Sequence, residues 1–373
     1  MQLSVVIPCL NEIETLGICI SKCLNSFKMM NVEAEVLIAD NGSTDGSKEL
    51  ALNLGARVVS VKNKGYGNAL ISGIKAAKGK YIIMGDADDS YNFEKINSFY
   101  EKLLDGYEMV QGCRFSVGGG KIEKNAMPVT HKYLGNPFFS TLSKLFFSLP
   151  FNDVYCGYRG FLKSKFLELD HFSGGMVFAI ENLIKFKTAG AKCTEIPVTL
   201  HKDGRKKNKS HLNTLSDGWN TLRFLLVTCP KWLYFFPSII FLSISILSAI
   251  SLFLNHSNSV LDINVFKEII STSIFFLLGF QFFMFGLFSS LIATKLKMQN
   301  SRNIKRFFNI FKIRYAFILS ASIIIAILID HNFYELLDLK NHFKVPIYYY
   351  GCFFSILLLI NSFFVSLITL DEQ

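Results

Sequence analysis

A length of 373 residues allows two or three domains, so the composition has to narrow the class. Half of the residues are hydrophobic and only 18% are charged, below the roughly 25% typical of soluble domains, which excludes a wholly soluble, disordered or fibrous protein. The net charge is +10, and in so apolar a chain this favours anionic lipid or a phosphorylated ligand over nucleic acid as the partner.

The first 210 residues alternate short apolar strands with helical patterns. Strands are predicted at 3–8, 35–39, 56–61 and 81–84, separated by helices at 13–29, 45–54 and 66–78. Single helices between strands predict an α/β domain with a parallel sheet and right-handed crossovers. Ligands of such sheets bind beyond the carboxyl ends of the strands, so the residues at those ends are the candidates for a functional site.

A polar turn follows each of the first two predicted strands. Pro8, Asn11 and Glu12 lie in the first turn, and Asp40 begins the second, which reads Asp-Asn-Gly-Ser-Thr-Asp-Gly. The structural alternative is that Asn11 and the hydroxyl residues of the second turn cap the helices that follow. Either turn alone leaves the two interpretations evenly matched.

A third turn, from Asn63 to Asn68, contains two glycines and precedes a helix. Its backbone amides are able to contact a phosphate, but the turn matches neither GxGxxG nor a Walker sequence. It is a weak signal on its own.

The strongest local signal is the acidic sequence at the end of the fourth strand, Gly85-Asp86-Ala87-Asp88-Asp89. Carboxylates this close together repel one another unless a divalent cation neutralises them. Oxygen ligands at this density suit Mg²⁺ or Mn²⁺, which would bridge a diphosphate. The alternative is a set of surface acids at a turn.

The composition changes abruptly near residue 232. The run 234–254 contains no charged residue and is long enough to cross roughly 30 Å of hydrocarbon. Further transmembrane helices are predicted at 269–294, 311–329 and 346–370. The loop 295–314 carries basic residues and no acid, so the positive-inside rule predicts that this loop and both termini are cytoplasmic.

An amphipathic helix is predicted within 212–232, just before the first span. Its apolar residues recur at helical spacing: Leu212, Leu215, Trp219, Leu222, Leu225 and Leu226. A helix packed on the preceding domain gives the same periodicity, but the position beside a span favours the membrane surface. The nearby Lys206, Lys207 and Lys209 are expected to face lipid.

The motifs resemble those of the family 2 glycosyltransferases of GT-A fold, in which a PxxNE turn, an acidic-GSTDG turn and a DxD sequence follow successive strands in this order. The similarity extends through His201-Lys202-Asp203-Gly204-Arg205 and covers roughly residues 3 to 237. It is closest to the dolichol-phosphate mannose or glucose synthase branch. Together with hydropathy, it implies a GT-A, Rossmann-like nucleotide-sugar domain at 1–211, the amphipathic segment 212–232, and an α-helical transmembrane domain at 233–373.

The resemblance also implies roles for individual side chains. The positions expected to hold the nucleoside are Pro8, Asn11, Glu12 and Asp40. The metal, Mg²⁺ or Mn²⁺, is expected at Asp86 and Asp88, with Asp88 the more direct ligand. The basic residues expected to face donor or lipid phosphates are Arg114, Lys132 and Arg205.

The sequence departs from the family pattern at two positions. Asn41 stands where relatives often carry a second acid, and Ser90 stands where some carry a glutamine near the metal. The resemblance therefore does not define which nucleobase the donor carries or which residues complete the metal coordination.

Asp153 and Glu181 are the candidate catalytic polar groups near the acceptor, together with Asp88. A phosphate monoester is already anionic at neutral pH, so such an acceptor needs a strong general base less than a sugar hydroxyl does. Catalysis would then depend on positioning and on metal stabilisation of the leaving diphosphate. His131 is expected to be structural.

The expected activity is inverting transfer of a hexose from a nucleotide-diphosphate sugar, of the UDP-glucose or GDP-mannose type, to undecaprenyl or dolichyl phosphate. The alternatives are a membrane polysaccharide or glycolipid synthase acting on a hydroxyl, although no QxxRW sequence is present, and an inactive membrane scaffold.

The expected location is a bacterial plasma membrane rather than the endoplasmic reticulum, in contact with membrane lipids and without a nucleic-acid partner. The N-terminus lacks a signal-peptide pattern, so the first 210 residues are expected in the cytosol. The eight cysteines form no CxxC pair and are expected to be reduced. Homo-oligomerisation stays open.

Overall fold

The computed structural model describes residues 1–206, 214–256 and 263–299, with shorter helical pieces at 318–323, 325–326, 351, 353–361 and 364. The chain divides into two compact units, Met1–Leu225 and Leu226–Gln373. The boundary falls inside the segment 212–232 that the sequence set apart. The cysteines among the described residues are all free thiols, as expected.

The first unit is an α/β fold built on a seven-stranded mixed sheet. Its strands are β1 (Leu3–Cys9), β2 (Ala34–Asp40), β3 (Arg57–Ser60), β4 (Tyr81–Met84), β5 (Met109–Cys113), β7 (Arg159–Leu162) and β8 (Cys193–Pro197), and β6 (Lys121–Ile122) pairs with β9 (Thr199–Leu200) in a small second sheet. Its helices are α1 (Leu16–Met30), α2 (Ser47–Asn53), α3 (Tyr66–Ala76), α4 (Ile96–Leu104), α5 (Asn136–Phe147), α6 (Lys163–Glu168) and α7 (Phe178–Thr188).

The order of the strands in the main sheet is β3-β2-β1-β4-β7-β5-β8. Strands β1 to β4 pair in parallel, as the alternating pattern predicts, and β5 pairs in parallel with β8. The sheet is not wholly parallel, because β7 runs antiparallel to both of its neighbours. The α/β class is therefore as predicted, whereas the sheet is mixed rather than parallel throughout.

The first two strands, β1 and β2, are largely apolar and mostly buried. Strand β1 is buried at six of its seven positions, and the carboxyl-terminal half of β2 is buried as well. Continuous apolar runs of this kind are typical of strands buried on both faces.

Several turns lie together at the edge of the sheet formed by the carboxyl ends of β1, β2 and β4. Cys9 at the end of β1 lies opposite Asp40 at the end of β2, and β4 ends beside them at Met84. Strand β7 runs the other way, so the loop that precedes it, 149–158, lies at this same edge. The edge therefore holds the first two polar turns, the acidic sequence and this loop.

The second unit contains α9 (Phe236–His256) and α10 (Ile263–Lys295). Ser238 Oγ donates a hydrogen bond to the Gly279 carbonyl (2.8 Å), where an added Cβ would lie 2.7 Å from Leu242 Cγ. Among the described residues, two helical stretches, Lys231–Asn255 and Asn264–Lys295, are long and apolar enough to cross a membrane.

These two stretches contain the predicted spans 234–254 and 269–294. The predicted spans 311–329 and 346–370 and the basic loop 295–314 lie largely outside the described residues.

Helix α8 (Thr214–Thr228) lies within the predicted amphipathic segment. Leu215 and Trp219 are 85% and 63% exposed, whereas Leu225 is buried. Exposed apolar side chains on such a helix fit a position at a membrane surface. Leu212, Lys207 and Lys209 lie outside the described residues.

Candidate functional site

The first two polar turns are joined to each other by side-chain hydrogen bonds. Asn11 adopts a left-handed conformation (φ 58°), its backbone N–H donates to Ser43 Oγ (2.9 Å), and its Oδ1 accepts from Thr44 N–H (2.8 Å). Glu12 N–H donates to Ser47 Oγ (2.9 Å). The helix-cap alternative is wrong, because the N-cap residues of α1 and α2 are Thr15 and Gly46, and neither helix has a side-chain cap.

Asp40 is buried and organises the second turn. Its carboxylate accepts hydrogen bonds from Gly42 N–H (3.3 Å) and Ser43 N–H (3.1 Å). Pro8 precedes the last residue of β1, beside Ala39 of β2. The four residues expected to hold the nucleoside are therefore brought to one edge of the sheet.

The three carboxylates of the acidic sequence have different hydrogen-bond and ion-pair partners. Asp86 Oδ1 accepts from the Tyr66 hydroxyl (3.1 Å), and Asp88 Oδ1 accepts from Ser90 Oγ (2.6 Å) and Ser90 N–H (3.1 Å). Asp89 has a left-handed backbone (φ 61°) and pairs with Lys22 of α1 (2.7 Å). Burial, and secondarily the neighbouring Asp88 carboxylate, raise the pKa of Asp86 to about 6.

Arg205 lies close to the acidic sequence in space although it is far from it along the chain. His201 N–H donates to the Ser90 carbonyl and Gly204 N–H to the Asp88 carbonyl, both at 2.9 Å. These two bonds hold the segment 201–205 against the acidic turn.

The Arg205 guanidinium contacts three carboxylates. Its Nε lies 2.9 Å from Glu12 Oε2, and its Nη1 lies 3.3 Å from Asp88 Oδ2 and 3.7 Å from Asp203 Oδ2. Burial lowers the pKa of Arg205, but its hydrogen bonds to Glu12 and the charge of Asp88 outweigh this and raise it overall. The expectation that Arg205 holds a phosphate stays a prediction, because here it holds acids.

Arg114 forms a second, closed pair with Asp153. Its Nε lies 2.6 Å from Asp153 Oδ2, its Nη2 lies 2.8 Å from Oδ1, and its backbone N–H also donates to Oδ2 (3.1 Å). The Asp153 side chain is fully buried and that of Arg114 is 9% exposed. The nearby Arg114 charge lowers the pKa of Asp86, against the larger effect of burial.

Lys132 and Glu181 do not join these clusters through any contact found among the described residues. The Lys132 ammonium lies over the Tyr133 ring, 5.2 Å from its centre, in the helical turn His131–Gly135. Glu181 on α7 is fully buried and pairs with Lys185 (2.8 Å). His131 Nε2 lies 3.0 Å from Thr214 Oγ1, which fits the structural role expected for it.

Several residues of the site have no counterpart in the sequence prediction. Tyr66, Lys22 and Asp203 each contact one of its charged groups, directly through the side chain. Tyr66 lies in the glycine-containing turn that the sequence marked only weakly. Asp203 lies in the stretch 201–205 that the resemblance included, but no role was expected for it, and Lys22 carries no local pattern that separates it from other surface charges.

The acidic residues fit a divalent cation that arrives with a ligand. Within the described part of the chain, no three His, Cys, Asp or Glu side chains form a cluster that could hold a metal ion by itself. Asp86 and Asp88 offer hard oxygen donors, and Mg²⁺ is commonly bound through one or two carboxylates together with substrate phosphates and water. A cation completed by a diphosphate matches this donor set.

Comparison with known proteins identifies the class of protein and then the family. The model of a family described as Glycosyl transferase family 2 matches residues 4–169. The low-salt glycan biosynthesis hexosyltransferase of Haloferax volcanii is 33% identical over 296 residues, which cover 77% of this chain and 68% of that protein. The protein is a glycosyltransferase. The chain belongs to glycosyltransferase family 2.

Two further relatives come from the same organism. A glycosyltransferase is 28% identical over 303 residues, covering 80% of this chain and 96% of that protein. A dolichyl-phosphate hexose transferase is 27% identical over 197 residues, covering 53% and 82%. The relatives thus include hexosyltransferases, one of them named for a dolichyl-phosphate substrate.

Among solved structures, glucosyl-3-phosphoglycerate synthase from Mycobacterium tuberculosis, in complex with Mn²⁺, uridine diphosphate and glucosyl-3-phosphoglycerate, aligns with 21% identity and a TM-score of 0.46. The alignment covers 61% of this chain and 80% of that one. Similarity at this level does not bear on the substrate.

Proposed function

We propose that the protein transfers a hexose from a nucleotide-diphosphate sugar to a polyprenyl phosphate, with inversion at the anomeric carbon, at a membrane surface. The relative named dolichyl-phosphate hexose transferase supports this choice of acceptor. The observation that carries the proposal is the state of the two carboxylates that the sequence offered as catalytic groups near the acceptor, Asp153 and Glu181.

Both of these carboxylates are buried and fully engaged. Asp153 is paired through two nitrogen atoms with Arg114, and Glu181 is paired with Lys185. A carboxylate held by a buried cation is a poor general base, because accepting a proton would leave that cation uncompensated. A phosphate acceptor avoids this need, since its attacking oxygen is already negative at neutral pH. The arrangement therefore favours a lipid phosphate over a hydroxyl acceptor.

The donor would bind at the shared edge of β1, β2 and β4. Glu12 and Asp40 would accept hydrogen bonds from the nucleoside, and Asp86 and Asp88 would hold Mg²⁺ or Mn²⁺ against the diphosphate. When bound, this cation would neutralise the charge that develops on the departing nucleoside diphosphate. The residues of the chain would orient the sugar and exclude water.

Arg205 would exchange partners when the donor binds. Its guanidinium is 3.3 Å from Asp88 Oδ2, and a divalent cation on the same carboxylate would repel it. Once displaced from Asp88, its Nη1 group would be available to a phosphate, while Nε and Nη2 would stay paired with Glu12. We assign Arg205 to the phosphate of the lipid acceptor.

The second unit would anchor the protein in the membrane that holds the lipid acceptor. Two long apolar helices and the exposed Leu215 and Trp219 support membrane association. We propose four spans with the catalytic unit, the loop 295–314 and both termini in the cytoplasm. Labelling from outside the cell, in a cysteine-free background, should modify Ser257→Cys but not Ser301→Cys, and the reverse would contradict the topology.

The activity is tested by identifying the lipid product. Purified protein in detergent is incubated with Mn²⁺ or Mg²⁺, undecaprenyl or dolichyl phosphate, and a panel of nucleotide sugars, and the lipids are examined by mass spectrometry. We expect a polyprenyl-phosphate hexose with one donor, formed at least about 10²-fold more slowly by Asp88→Asn. Absence of a lipid product with every donor, while the sugar nucleotide is consumed with another acceptor, would overturn the proposal.

A further inference from the structure

The turn from Asn63 to Asn68, called here the glycine turn, connects two parts of the proposed donor site. The Asn41 side chain spans the gap to it, since its Nδ2 donates to the Asn63 carbonyl (3.0 Å) and its Oδ1 accepts from Gly65 N–H (2.7 Å). Tyr66 then donates its hydroxyl proton to Asp86 Oδ1 (3.1 Å). The glycine turn therefore fixes the second polar turn and Asp86 relative to each other.

On its other side the glycine turn packs against the loop 172–174. Asn68 N–H donates to the Gly174 carbonyl (3.0 Å). An added Cβ would lie 2.3 Å from the Gly174 oxygen at Gly65, and 2.0 Å from the Ser173 oxygen at Gly67. The two backbones approach so closely that only glycine fits at these positions.

Glu181 fixes this loop from the interior of the unit. Its two carboxylate oxygens accept from Phe172 N–H (3.0 Å) and Ser173 N–H (2.8 Å), and Lys185 Nζ lies 2.8 Å from Oε1. Lys185 also donates to the Asp170 carbonyl (2.7 Å). A buried ion pair of this kind contributes little net stability, but removing one partner is costly because the other charge is left buried and unpaired.

We propose that Glu181 is a positioning residue for donor binding: with Lys185 it fixes the loop 172–174, and through that loop the glycine turn that aligns Asp86 with the second polar turn. The inference rests on the proposed function in taking Asp86 and Asp40 as donor residues. It replaces the role of catalytic group that the sequence offered for Glu181. Substitutions of Glu181 are therefore expected to weaken binding of the nucleotide donor and to leave binding of the lipid acceptor unchanged.

The test compares three variants of the full chain in detergent. Glu181→Gln removes the charge that the loop amides and Lys185 require. Gly174→Ala disturbs the same contact from the opposite side, since its Cβ would lie 2.6 Å from Asn68 Nδ2. Glu35→Gln is the matched control, because Glu35 pairs with Arg57 (2.9 Å) near the amino ends of β2 and β3, away from the site.

The primary measurement is binding of UDP and of GDP, each with Mn²⁺, by titration calorimetry below the unfolding temperature of each variant. We expect Glu181→Gln and Gly174→Ala each to weaken binding of the nucleotide that the wild type prefers by about tenfold, the size of a lost charge-assisted hydrogen bond. The double variant should lose less than the product of the two effects, because both act on one contact. Glu35→Gln should leave nucleotide binding unchanged.

The second measurement separates positioning from catalysis. In transfer assays the donor KM should rise with the dissociation constant, while the KM for the lipid phosphate changes less than about twofold. A fall in kcat at unchanged donor KM would return Glu181 to a catalytic role and overturn the inference, as would unchanged nucleotide binding in Gly174→Ala. If Glu181→Gln does not fold, Gly174→Ala decides. Because nucleotide binding needs no lipid, this result is independent of whether the acceptor has been assigned correctly.

Discussion

Two arginine–carboxylate clusters lie at the same edge of the sheet, and they differ in charge balance. Arg114 and Asp153 form one neutral, buried pair joined through two guanidinium nitrogens. Arg205 instead shares its single positive charge among three carboxylates, of which Asp88 and Asp203 are 16% and 42% exposed. The first cluster is electrically complete, whereas the second has an excess of negative charge that can accept a cation.

This comparison separates a structural ion pair from a binding site. A complete buried pair gains nothing from a ligand, and breaking it leaves a charge in a low-dielectric interior. An acid-rich cluster that reaches solvent can exchange its arginine for a metal ion at low cost. The predictions below test whether the two clusters behave in these different ways.

The largest effect is expected on stability at the closed pair. Arg114→Met should lower the stability of the unit by about 3–5 kcal/mol, because Asp153 would stay buried without a partner. Arg205→Met should cost less than half as much. Thermal unfolding in detergent measures both. Mn²⁺ should stabilise both variants, because both keep Asp88, but it should stabilise Arg205→Met more, since loss of the competing positive charge strengthens binding of the ion to the folded state. Equal recovery in both variants would erase the distinction between the clusters.

The next effect is expected on transfer at the open cluster. Asp88→Asn keeps the shape of the side chain but removes the charge that a metal requires, so the transfer rate should fall roughly 10²- to 10³-fold, with thermal stability retained. Asp89→Asn is the matched control, because Asp89 pairs with Lys22 instead. It should lose less than about tenfold. Similar losses in the two variants would mean that the turn as a whole, rather than Asp88, matters.

A smaller effect is expected on metal affinity. Arg205→Met should bind Mn²⁺ about tenfold more tightly in the absence of nucleotide, because it removes the positive charge that competes for Asp88. Arg57→Met serves as the control, since Arg57 pairs with Glu35 far from the acidic turn. Electron paramagnetic resonance of free Mn²⁺ reports the affinity directly. Unchanged or weaker binding in Arg205→Met would show that the arginine and the metal do not compete.

The smallest effect concerns His171, which lies in the first unit outside both clusters. Burial, and secondarily the Lys185 charge, lower the pKa of His171 to about 3. The unfolded chain takes up this proton near pH 6.5 and the folded chain does not, so stability falls as the pH decreases from about 6.5 towards 3.

The variant His171→Phe should reduce this acid dependence. Its unfolding temperature should drop about 2–4 °C less between pH 7 and pH 5.5 than that of the wild type, which corresponds to about 1 kcal/mol. Parallel pH profiles for the two proteins would contradict the assignment.

The parallel part of the fold could be predicted from sequence because its apolar strands and intervening helices are regular. The antiparallel strand β7 could not, because its direction depends on the edge at which the chain enters the sheet, and no repeating strand–helix pattern leads into it. Hydropathy likewise located α9 and α10, since a long uncharged run has few alternatives in a folded chain.

The site divides in the same way. The polar turns and the acidic sequence lie directly at strand ends, where residue type and position suffice. The contact of Arg205 with Glu12 joins residues 193 positions apart, so no local sequence pattern predicts it. Glu181 and Lys185 are different, because their four-residue spacing on one helix gave a readable sign of an ion pair that the sequence analysis did not use.

The most direct test of the account compares two acceptors that differ only in the phosphate. Polyprenyl phosphate and the identical polyprenol are supplied at equal concentration in the same detergent, with Mn²⁺ and a labelled donor, and the rate of lipid labelling is measured. The account predicts labelling of the phosphate and none of the alcohol, and a severe loss with the phosphate in Arg205→Ala. If the alcohol is glycosylated as fast as the phosphate, the acceptor assignment is wrong and a general base must exist elsewhere in the site.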